Sequence, residues 1–176
     1  REAAVRNARS RKAGHARGGY AARSRSGQSE VIRGARARAE IDADTIGLGE
    51  AHGTATPLGD PLEISALTEA WSRWSPQPQQ TAIGSLKSNV GHLDTAAGIA
   101  SLLKAGLAIW QRQIPPSLNF SQPTPAIDFA STPFYVPQLL QPWQSEPTPR
   151  AAVSSSRTRG SNATALTEAH RHSVGS

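Results

Sequence analysis

The chain has 176 residues and a formal net charge of +6, and it contains neither cysteine nor methionine. This length suffices for one domain with a hydrophobic core, and the lack of cysteine excludes both a disulfide framework and a thiol nucleophile within the sequence. No uncharged apolar run approaches the roughly 20 residues that a membrane span needs, and no secretory signal pattern is visible, which favours a cytoplasmic protein.

The basic residues are concentrated at the two ends of the chain. Arg1–Arg38 carries a net charge of +9, whereas Ala39–Pro149 carries −6. Residues 1–25 are rich in Arg, Ala, Gly and Ser without apolar periodicity, which predicts a disordered arm. Two other interpretations are an arm that binds nucleic acid through phosphate contacts and a stretch translated in a shifted reading frame. Because the first residue is Arg1 rather than methionine, we expect a fragment of a longer protein.

Elements of regular structure are predicted from residue 26 onwards. Residues 26–39 carry apolar side chains at helical spacing, and residues 46–48 are typical of a short strand. A second helix is predicted to follow, with Asp60 as its N-cap, Pro61 in its first position and Glu63 at the spacing of a capping box.

The second half of the chain continues the alternation of strand and helix. Residues 81–85 are a strand candidate, and residues 92–110 give the strongest helical signal because they are apolar on nearly every face. A helix with that pattern is buried on all sides. Two further strands are predicted at residues 134–136 and 151–154, after a proline-rich loop. The alternation indicates α/β layers, and we expect the packed part within residues 41–130 and poorly ordered ends.

Two histidines occupy matching positions, each between a predicted strand and a predicted helix. His52 lies in GEAHGTATPLGDPLE and His92 in GSLKSNVGHLDTAAG. Folds of the α/β type present catalytic groups at such strand ends, and neutral imidazoles can stabilise a developing oxyanion. Either histidine could instead be structural. A loop before a helix start could also bind phosphate, although neither stretch is a Walker or dinucleotide pattern.

The two histidine segments resemble the corresponding motifs of β-ketoacyl synthases, the ketosynthase domains of modular polyketide synthases. The similarity runs from residue 26 to residue 155 and includes GQSEVIRGARARAEIDADTIG, IPPSLNF, PTPAIDFASTPFYV and PRAAVSS. It implies a thiolase-like layered α/β fold, of which this chain would be the C-terminal half. Residues 1–25 and 156–176 are expected to lie outside that half as a basic arm and a divergent tail.

The resemblance implies a decarboxylative condensation between a malonyl unit and an acyl chain that is held on a cysteine. His52 and His92 match the family's two catalytic histidines, and Lys87 matches the lysine beside the second one. Thr54 and Thr56 match the threonines that contact a phosphopantetheine arm. The implied partners are an acyl carrier protein, which brings this arm with its malonyl or acyl thioester, and a second subunit of a homodimer. The chain itself is expected to bind no cofactor and no metal, and nucleic acid is not an expected partner.

Two features depart from the family pattern. The family's nucleophilic cysteine would precede residue 1, and the family's loop of the form SSFGFGGTNAH is replaced by SSSRTRGSNATAL. In that loop Ser156 and Thr158 replace phenylalanines, and Arg157 and Arg159 replace glycines, whose backbone freedom arginine lacks. We therefore expect a disturbed pocket and an inactive isolated chain. The competing interpretations are a nucleic-acid-binding protein and a non-functional gene remnant.

Two further expectations concern the folded chain. If both histidines act on one thioester, His52 and His92 lie within a few ångströms of each other and face one cavity. If the first half of the domain is absent, the helix after His92 lacks part of its packing. Apolar surface should then cluster on that helix, and the chain should be marginally folded or prone to aggregate. The residues expected in this cluster are Ile99, Leu102, Leu103 and Leu107.

Overall fold

The computed structural model describes residues 25–71, 78–144, 148–156 and 162–169. The predicted basic arm, apart from Arg25, lies outside the described residues. Arg157 and Arg159 lie outside them as well, so the expected disturbance by these two arginines stays a prediction.

The described residues form helices and strands in alternation. The helices are Arg25–Ala39 (α1), Gly59–Trp71 (α2), Lys87–Val90 (α3) and Ala97–Gln111 (α4). The strands are Leu48–Glu50 (β1), Thr81–Gly84 (β2), Gln113–Ile114 (β3), Phe134–Tyr135 (β4), Gln141–Pro142 (β5), Arg150–Ser156 (β6) and Asn162–Glu168 (β7). Single 3₁₀ turns lie at Ala43–Thr45, Asp94–Ala96 and Phe129–Ser131.

A five-stranded sheet with the order β4-β2-β1-β6-β7 organises the fold. The strands β4, β2, β1 and β6 are parallel, and β7 is antiparallel to β6. The strands β3 and β5 form a separate antiparallel pair. The strand β1 is therefore central, and its carboxyl end lies beside the carboxyl end of β2, with Glu50 in register with Gly84.

Apolar side chains cover both faces of this sheet. Side chains of α1 and α2, such as Ile32 and Trp71, pack on one face against Ala152 of β6. The other face packs against α4, where Ile109 meets Val153 of β6. Successive residues of β6 thus point to opposite faces, as the two-residue period of a strand requires. The three layers of helices, sheet and helix agree with the α/β architecture predicted from the sequence.

The helix after His52 begins differently from the prediction. Its first residue is Gly59, and the amide of Gly59 donates to Oγ1 of Thr56 over 3.1 Å, so Thr56 caps the helix instead of Asp60. The carboxylate of Glu63 does not close a capping box with Asp60. It reaches back to the backbone beside His52, because two amides in that turn need an acceptor.

The predicted extent of the packed part was wrong at both of its boundaries. Val31 and Ile32 of α1, which precede residue 41, are buried, and so are Ala151 and Leu166 beyond residue 130. The strand β7, which the sequence analysis placed in a divergent tail, pairs with β6 along all seven of its residues.

The helix α4 has one buried and one exposed apolar side. Ala105, Ala108 and Ile109 are buried against the sheet. Ile99, Leu103 and Leu107 are 57%, 62% and 57% exposed, and Leu102 is half-buried. The expected cluster of exposed apolar side chains on this helix is therefore confirmed for three of the four residues. We refer to Ile99, Leu103 and Leu107 as the apolar stripe.

Candidate active site

The two histidine segments follow neighbouring parallel strands. His52 comes two residues after the end of β1, and β2 leads through residues 85 and 86 into α3, which begins with Lys87. Because parallel strands end at the same edge of a sheet, both segments meet above β1 and β2. His92 lies in the short connection between α3 and α4. This connection brings the chain back to the same edge of the sheet.

The side chains of His52, His92 and Lys87 converge at this edge. The imidazole centroids of His52 and His92 are 5.7 Å apart, with their rings nearly perpendicular at 85°. The Nζ of Lys87 lies 3.5 Å from Nδ1 of His52 and also donates to the backbone carbonyl of His52. The expected approach of the two histidines is therefore confirmed. Lysine and imidazole contact each other although Lys87 and His52 follow different strands.

The hydrogen bonds define which ring nitrogen carries the proton in each neutral histidine. The amide of Asp94 donates to Nδ1 of His92 over 2.9 Å, so this nitrogen is an acceptor and Nε2 carries the hydrogen. An ammonium group has only donors, so the contact between Lys87 and Nδ1 of His52 likewise leaves the hydrogen on Nε2 of His52. Both imidazoles can then donate one N–H bond to an anionic oxygen.

A cavity of about 710 Å³ opens beside these side chains. Lys87, His92, Thr54 and Thr56 line it, together with residues of α2 and of the loop from Ser117 to Phe129. His52 is 5% exposed and does not line the cavity, although both of its chain neighbours do. The expectation that both histidines face one cavity is therefore confirmed for His92 only, while the buried ring of His52 lies behind it at a centroid distance of 5.7 Å.

Glu63 holds the backbone that carries His52. One carboxylate oxygen of Glu63 accepts from the amide of His52 over 2.7 Å, and the other accepts from the amide of Gly53 over 3.0 Å. Gly53 has a φ of +44°, and a Cβ there would lie 2.8 Å from Cβ of Ser85, so the turn requires glycine. Sequence reasoning assigned Glu63 to a helix cap because the spacing alone does not reveal this backward reach.

A second acidic residue, Glu50, lies below the histidines and was missed by the sequence analysis. Its side chain is fully buried, and its Oε2 lies 2.8 Å from Nζ of Lys104 in α4. The other oxygen accepts from the backbone amide of Leu86. Burial raises the pKa of the Glu50 carboxyl, while Lys104 and hydrogen bonds from Leu86 and Ser101 act in the opposite direction.

Membrane and metal sites find no support in the described part of the chain. None of its four helices combines the length and apolar character that a membrane span requires. The described residues also contain no group of three or more His, Asp or Glu side chains that could hold a metal ion. The site is thus composed of imidazoles, an ammonium group and hydroxyl groups at the end of a parallel sheet, as in many enzymes with α/β layers.

Comparison with known proteins identifies the family. The sequence model of the family described as "Beta-ketoacyl synthase, C-terminal domain" matches residues 2–121. Polyketide synthase PksN of Bacillus subtilis (strain 168) is 39% identical over 160 residues, which are 90% of this chain and 3% of PksN. One polypeptide of the phenolphthiocerol/phthiocerol polyketide synthase of Mycobacterium tuberculosis (strain ATCC 25618 / H37Rv) is 44% identical over 151 residues, which are 85% of this chain and 10% of that polypeptide.

The solved structures that match this chain are also ketosynthases of polyketide synthases. Ketosynthase twelve of the bacillaene polyketide synthase of Bacillus amyloliquefaciens matches with a TM-score of 0.88 at 39% identity, over 95% of this chain and 30% of that one. The ketosynthase from module 1 of the bacillaene synthase of Bacillus amyloliquefaciens FZB42 matches with a TM-score of 0.88 at 36% identity, over 96% and 32%.

The chain therefore belongs to the β-ketoacyl synthase family and corresponds to the C-terminal part of a polyketide synthase ketosynthase with a thiolase-like fold. It spans about a third or less of the solved ketosynthases and a tenth or less of the curated relatives given above. The match of the family model also includes most of residues 1–25. The domain boundaries at residues 25 and 155 stay predictions.

Proposed function

We propose that this chain supplies the histidine side of a ketosynthase active site, in which a malonyl thioester loses carbon dioxide and condenses with an acyl thioester. The observation that carries the proposal is the convergence of His52, His92 and Lys87 at the ends of two adjacent strands. Membership of the family supports it, since the general activity of the family is this condensation.

The geometry supports a role for the imidazoles in the decarboxylation step. When the bond between the malonyl carboxylate and its α-carbon breaks, carbon dioxide leaves and the electron pair moves towards the thioester oxygen, which gives an enolate. An N–H donor that is already in place stabilises this charge without reorganisation. The Nε2–H of His92 is placed for such a bond because its Nδ1 is held by Asp94 at the cavity wall.

Lys87 acts on this arrangement through His52. Its ammonium group donates to the carbonyl of His52 and contacts Nδ1 of the same residue. Both contacts hold the imidazole of His52 with Nε2–H directed away from Lys87.

The cavity fits a long, thin ligand such as a phosphopantetheine arm. Its wall includes the half-buried Thr54 and the exposed Thr56, whose hydroxyl oxygens are 3.4 Å apart. Hydroxyl groups can bond to the amides of such an arm, while apolar residues in the wall, such as Phe129, contact its methylene groups. The proposed partner is therefore an acyl carrier protein loaded with a malonyl or acyl thioester.

The isolated chain is proposed not to complete the condensation. A covalent acyl-enzyme needs a nucleophile that can carry the acyl group, and the sequence contains no cysteine. The chain would then contribute the groups that stabilise charge and depend on another polypeptide segment for the thiol.

Binding and condensation can be tested separately. The purified chain is titrated with malonyl-pantetheine while the imidazole ¹⁵N signals of His52 and His92 are followed by NMR. We expect both signals to shift, a weaker response in His92→Ala and Lys87→Ala variants, and no carbon–carbon bond formation after addition of an acyl thioester. Unchanged imidazole signals in the wild-type chain would contradict the proposed site, and a condensed product would contradict the proposed inactivity.

A further inference from the structure

Glu50 is the point where the segments of the site are joined. It is the last residue of β1, in register with Gly84 on one side and Val153 on the other, and its side chain is completely buried. Two residues further along the chain is His52. The carboxylate of Glu50 therefore lies in the interior of the protein, two residues before His52.

The carboxylate of Glu50 connects the segment of His52 with two others. One oxygen accepts from the amide of Leu86, the residue directly before Lys87. The other oxygen lies 2.8 Å from Nζ of Lys104, whose side chain is only 12% exposed. Lys104 belongs to α4, the helix that follows His92. A single side chain thus links the segment of His52 to the residue before Lys87 and, through Lys104, to the helix that follows His92.

The absence of a side chain at Gly84 leaves room for the ammonium group of Lys104 beside Glu50. A Cβ at Gly84 would lie 3.8 Å from Nζ of Lys104 and 2.9 Å from Oγ of Ser117, so the ammonium group and the hydroxyl lie directly over that glycine. The amide of Leu86 precedes the first turn of α3, where backbone amides have no partner within the helix. A buried acceptor at this place satisfies an amide and sets the position of the turn that carries Lys87.

We propose that Glu50 and Lys104 are positioning residues, which place Lys87 against His52 by holding the amide of Leu86. The inference rests on the proposed function, because the distance between Lys87 and His52 matters only if these groups act on a ligand. Stability does not explain a buried ion pair, since apolar side chains of similar volume commonly serve a core as well or better. A carboxylate that accepts from Leu86 needs a counter-charge inside the protein, and Lys104 supplies it.

Two double variants distinguish the effect of the hydrogen-bond acceptor at residue 50 from the effect of the charges on Glu50 and Lys104. Glu50→Gln with Lys104→Met removes both charges but keeps an oxygen that can accept from Leu86. Glu50→Leu with Lys104→Met removes both charges and the acceptor while it keeps the volume. Circular dichroism and thermal melting establish that each variant is folded. The contact between Lys87 and His52 is then measured without any ligand.

The readouts are the acetylation rate of Lys87, determined by peptide mass spectrometry, and the imidazole ¹⁵N signals of His52. Lys12 provides the internal reference for acetylation, since it is the only other lysine that all variants retain. In the Leu/Met variant we expect Lys87 to react about tenfold faster, as the loss of a hydrogen bond from a charged group implies, and Nδ1 of His52 to shift. In the Gln/Met variant both readouts should stay near the wild-type values.

Equal readouts in the two double variants would overturn the inference. If the Leu/Met variant does not fold, Glu50→Asp takes its place, because the shorter carboxylate cannot reach Leu86 and Lys104 together. Faster acetylation of Lys87 in Glu50→Asp would support the inference, and an unchanged rate would overturn it. Malonyl-pantetheine binding by the wild-type chain is a separate measurement. Its failure would remove the proposed function and leave the positioning of Lys87 standing.

Discussion

Glu63 holds the backbone at His52 and Glu50 holds the backbone before Lys87, and neither acidic side chain is exposed to solvent. Glu63 accepts from the amides of His52 and Gly53, and Glu50 accepts from the amide of Leu86 across the sheet edge. Carboxylates are strong acceptors for backbone amides. Two buried acidic side chains thus bind backbone amides in the two turns that carry His52 and Lys87.

Removal of the Glu63 carboxylate is expected to destabilise the chain. In Glu63→Ala the amides of His52 and Gly53 lose their acceptor in a largely buried turn, which we expect to cost about 2–4 kcal/mol of unfolding free energy. Glu63→Gln keeps one oxygen and should lose less. Urea denaturation followed by circular dichroism measures both values.

Glu69 on the same helix is the matched control for Glu63. It forms partly exposed ion pairs with Arg25 and Arg33, and such pairs contribute little. Glu69→Gln should change the unfolding free energy by less than about 0.5 kcal/mol. An equal loss in Glu63→Ala and Glu69→Gln would show that the bonds to His52 and Gly53 contribute nothing beyond a surface charge.

The sequence predicted which residues converge but not how they are held. The alternation placed His52 and His92 each at the end of a predicted strand, and the resemblance to ketosynthases implied that the two histidines act together and that Lys87 belongs beside them. Glu50 was missed and Glu63 was assigned to a helix cap, because acidic residues are usually exposed and are buried only when paired. Their partners are backbone amides of His52, Gly53 and Leu86, and the sequence does not show which amides lie opposite a given carboxylate.

At the scale of elements, α4 shows what a hydrophobic pattern can and cannot predict. The pattern correctly indicated a helix and correctly indicated more apolar surface than one sheet can cover. It did not predict the start at Ala97, because the segment before it has helix-compatible composition but folds as a 3₁₀ turn after His92. The strand β7 was missed for a different reason. Leu166 is the only large apolar side chain in its segment NATALTE, so the sequence carries little strand signal.

Two glycines in different elements should respond oppositely to substitution by alanine. A Cβ at Gly106, inside α4, meets nothing within 4 Å, so Gly106→Ala should stabilise the chain by about 0.5–1 kcal/mol through helix propensity. A Cβ at Gly47 would lie 2.5 Å from Nε1 of the buried Trp143, so Gly47→Ala should destabilise by about 1–3 kcal/mol.

Thermal and urea denaturation of the two variants, side by side with wild type, measure this difference. Each variant serves as the control for the other, because both replace glycine with alanine and add one methyl group. Destabilisation by Gly106→Ala would mean that the exposed side of α4 is more closely packed than the structure shows.

At the scale of the whole molecule, the apolar stripe is the main departure from an ordinary soluble surface. Exposed Leu93 and Trp110 lie at either end of the same region, at 42% and 49% exposure. Buried apolar area contributes about 25 cal/mol per Å². Association that covers this side of α4 would bury apolar area, and the expected tendency of the chain to aggregate stays a prediction.

Polar substitutions in the apolar stripe are expected to reduce self-association without loss of stability. Leu103→Glu combined with Leu107→Lys should lower the apparent mass at high protein concentration, while the unfolding free energy stays within about 0.5 kcal/mol, as for other exposed positions. Analytical ultracentrifugation over a concentration series measures the association.

Ile109→Ala on the opposite side of α4 is the control for the stripe variant. Ile109 is 2% exposed, so its truncation should cost about 2–5 kcal/mol without reducing association. A stripe variant that unfolds like Ile109→Ala, or that associates like wild type, would show that these leucines have a different role.

The fold class could be predicted from the sequence, but the order of the strands in the sheet could not. Strand and helix alternation indicated α/β layers, and the resemblance indicated a thiolase-like fold, which the comparisons confirm. The strand order β4-β2-β1-β6-β7 is absent from local patterns because it is determined by packing between distant segments. For the same reason the packed part was expected to end near residue 130, although β6 lies inside the sheet.

The central position of β1 has a consequence for the time course of folding. Leu48 pairs with Ala82 on one side and with Ala151 on the other, so one flank of this strand stays open until residues 150–156 arrive. Contacts between such distant segments form slowly, because the intervening loop must close before the contacts can stabilise it. During synthesis on the ribosome, the pair of β1 and β2 therefore presents an unpaired edge until the 65 residues between β2 and β6 have been made, which takes about 3–13 seconds at ~5–20 residues per second. We expect this interval, rather than the finished fold, to be when the chain depends most on chaperones.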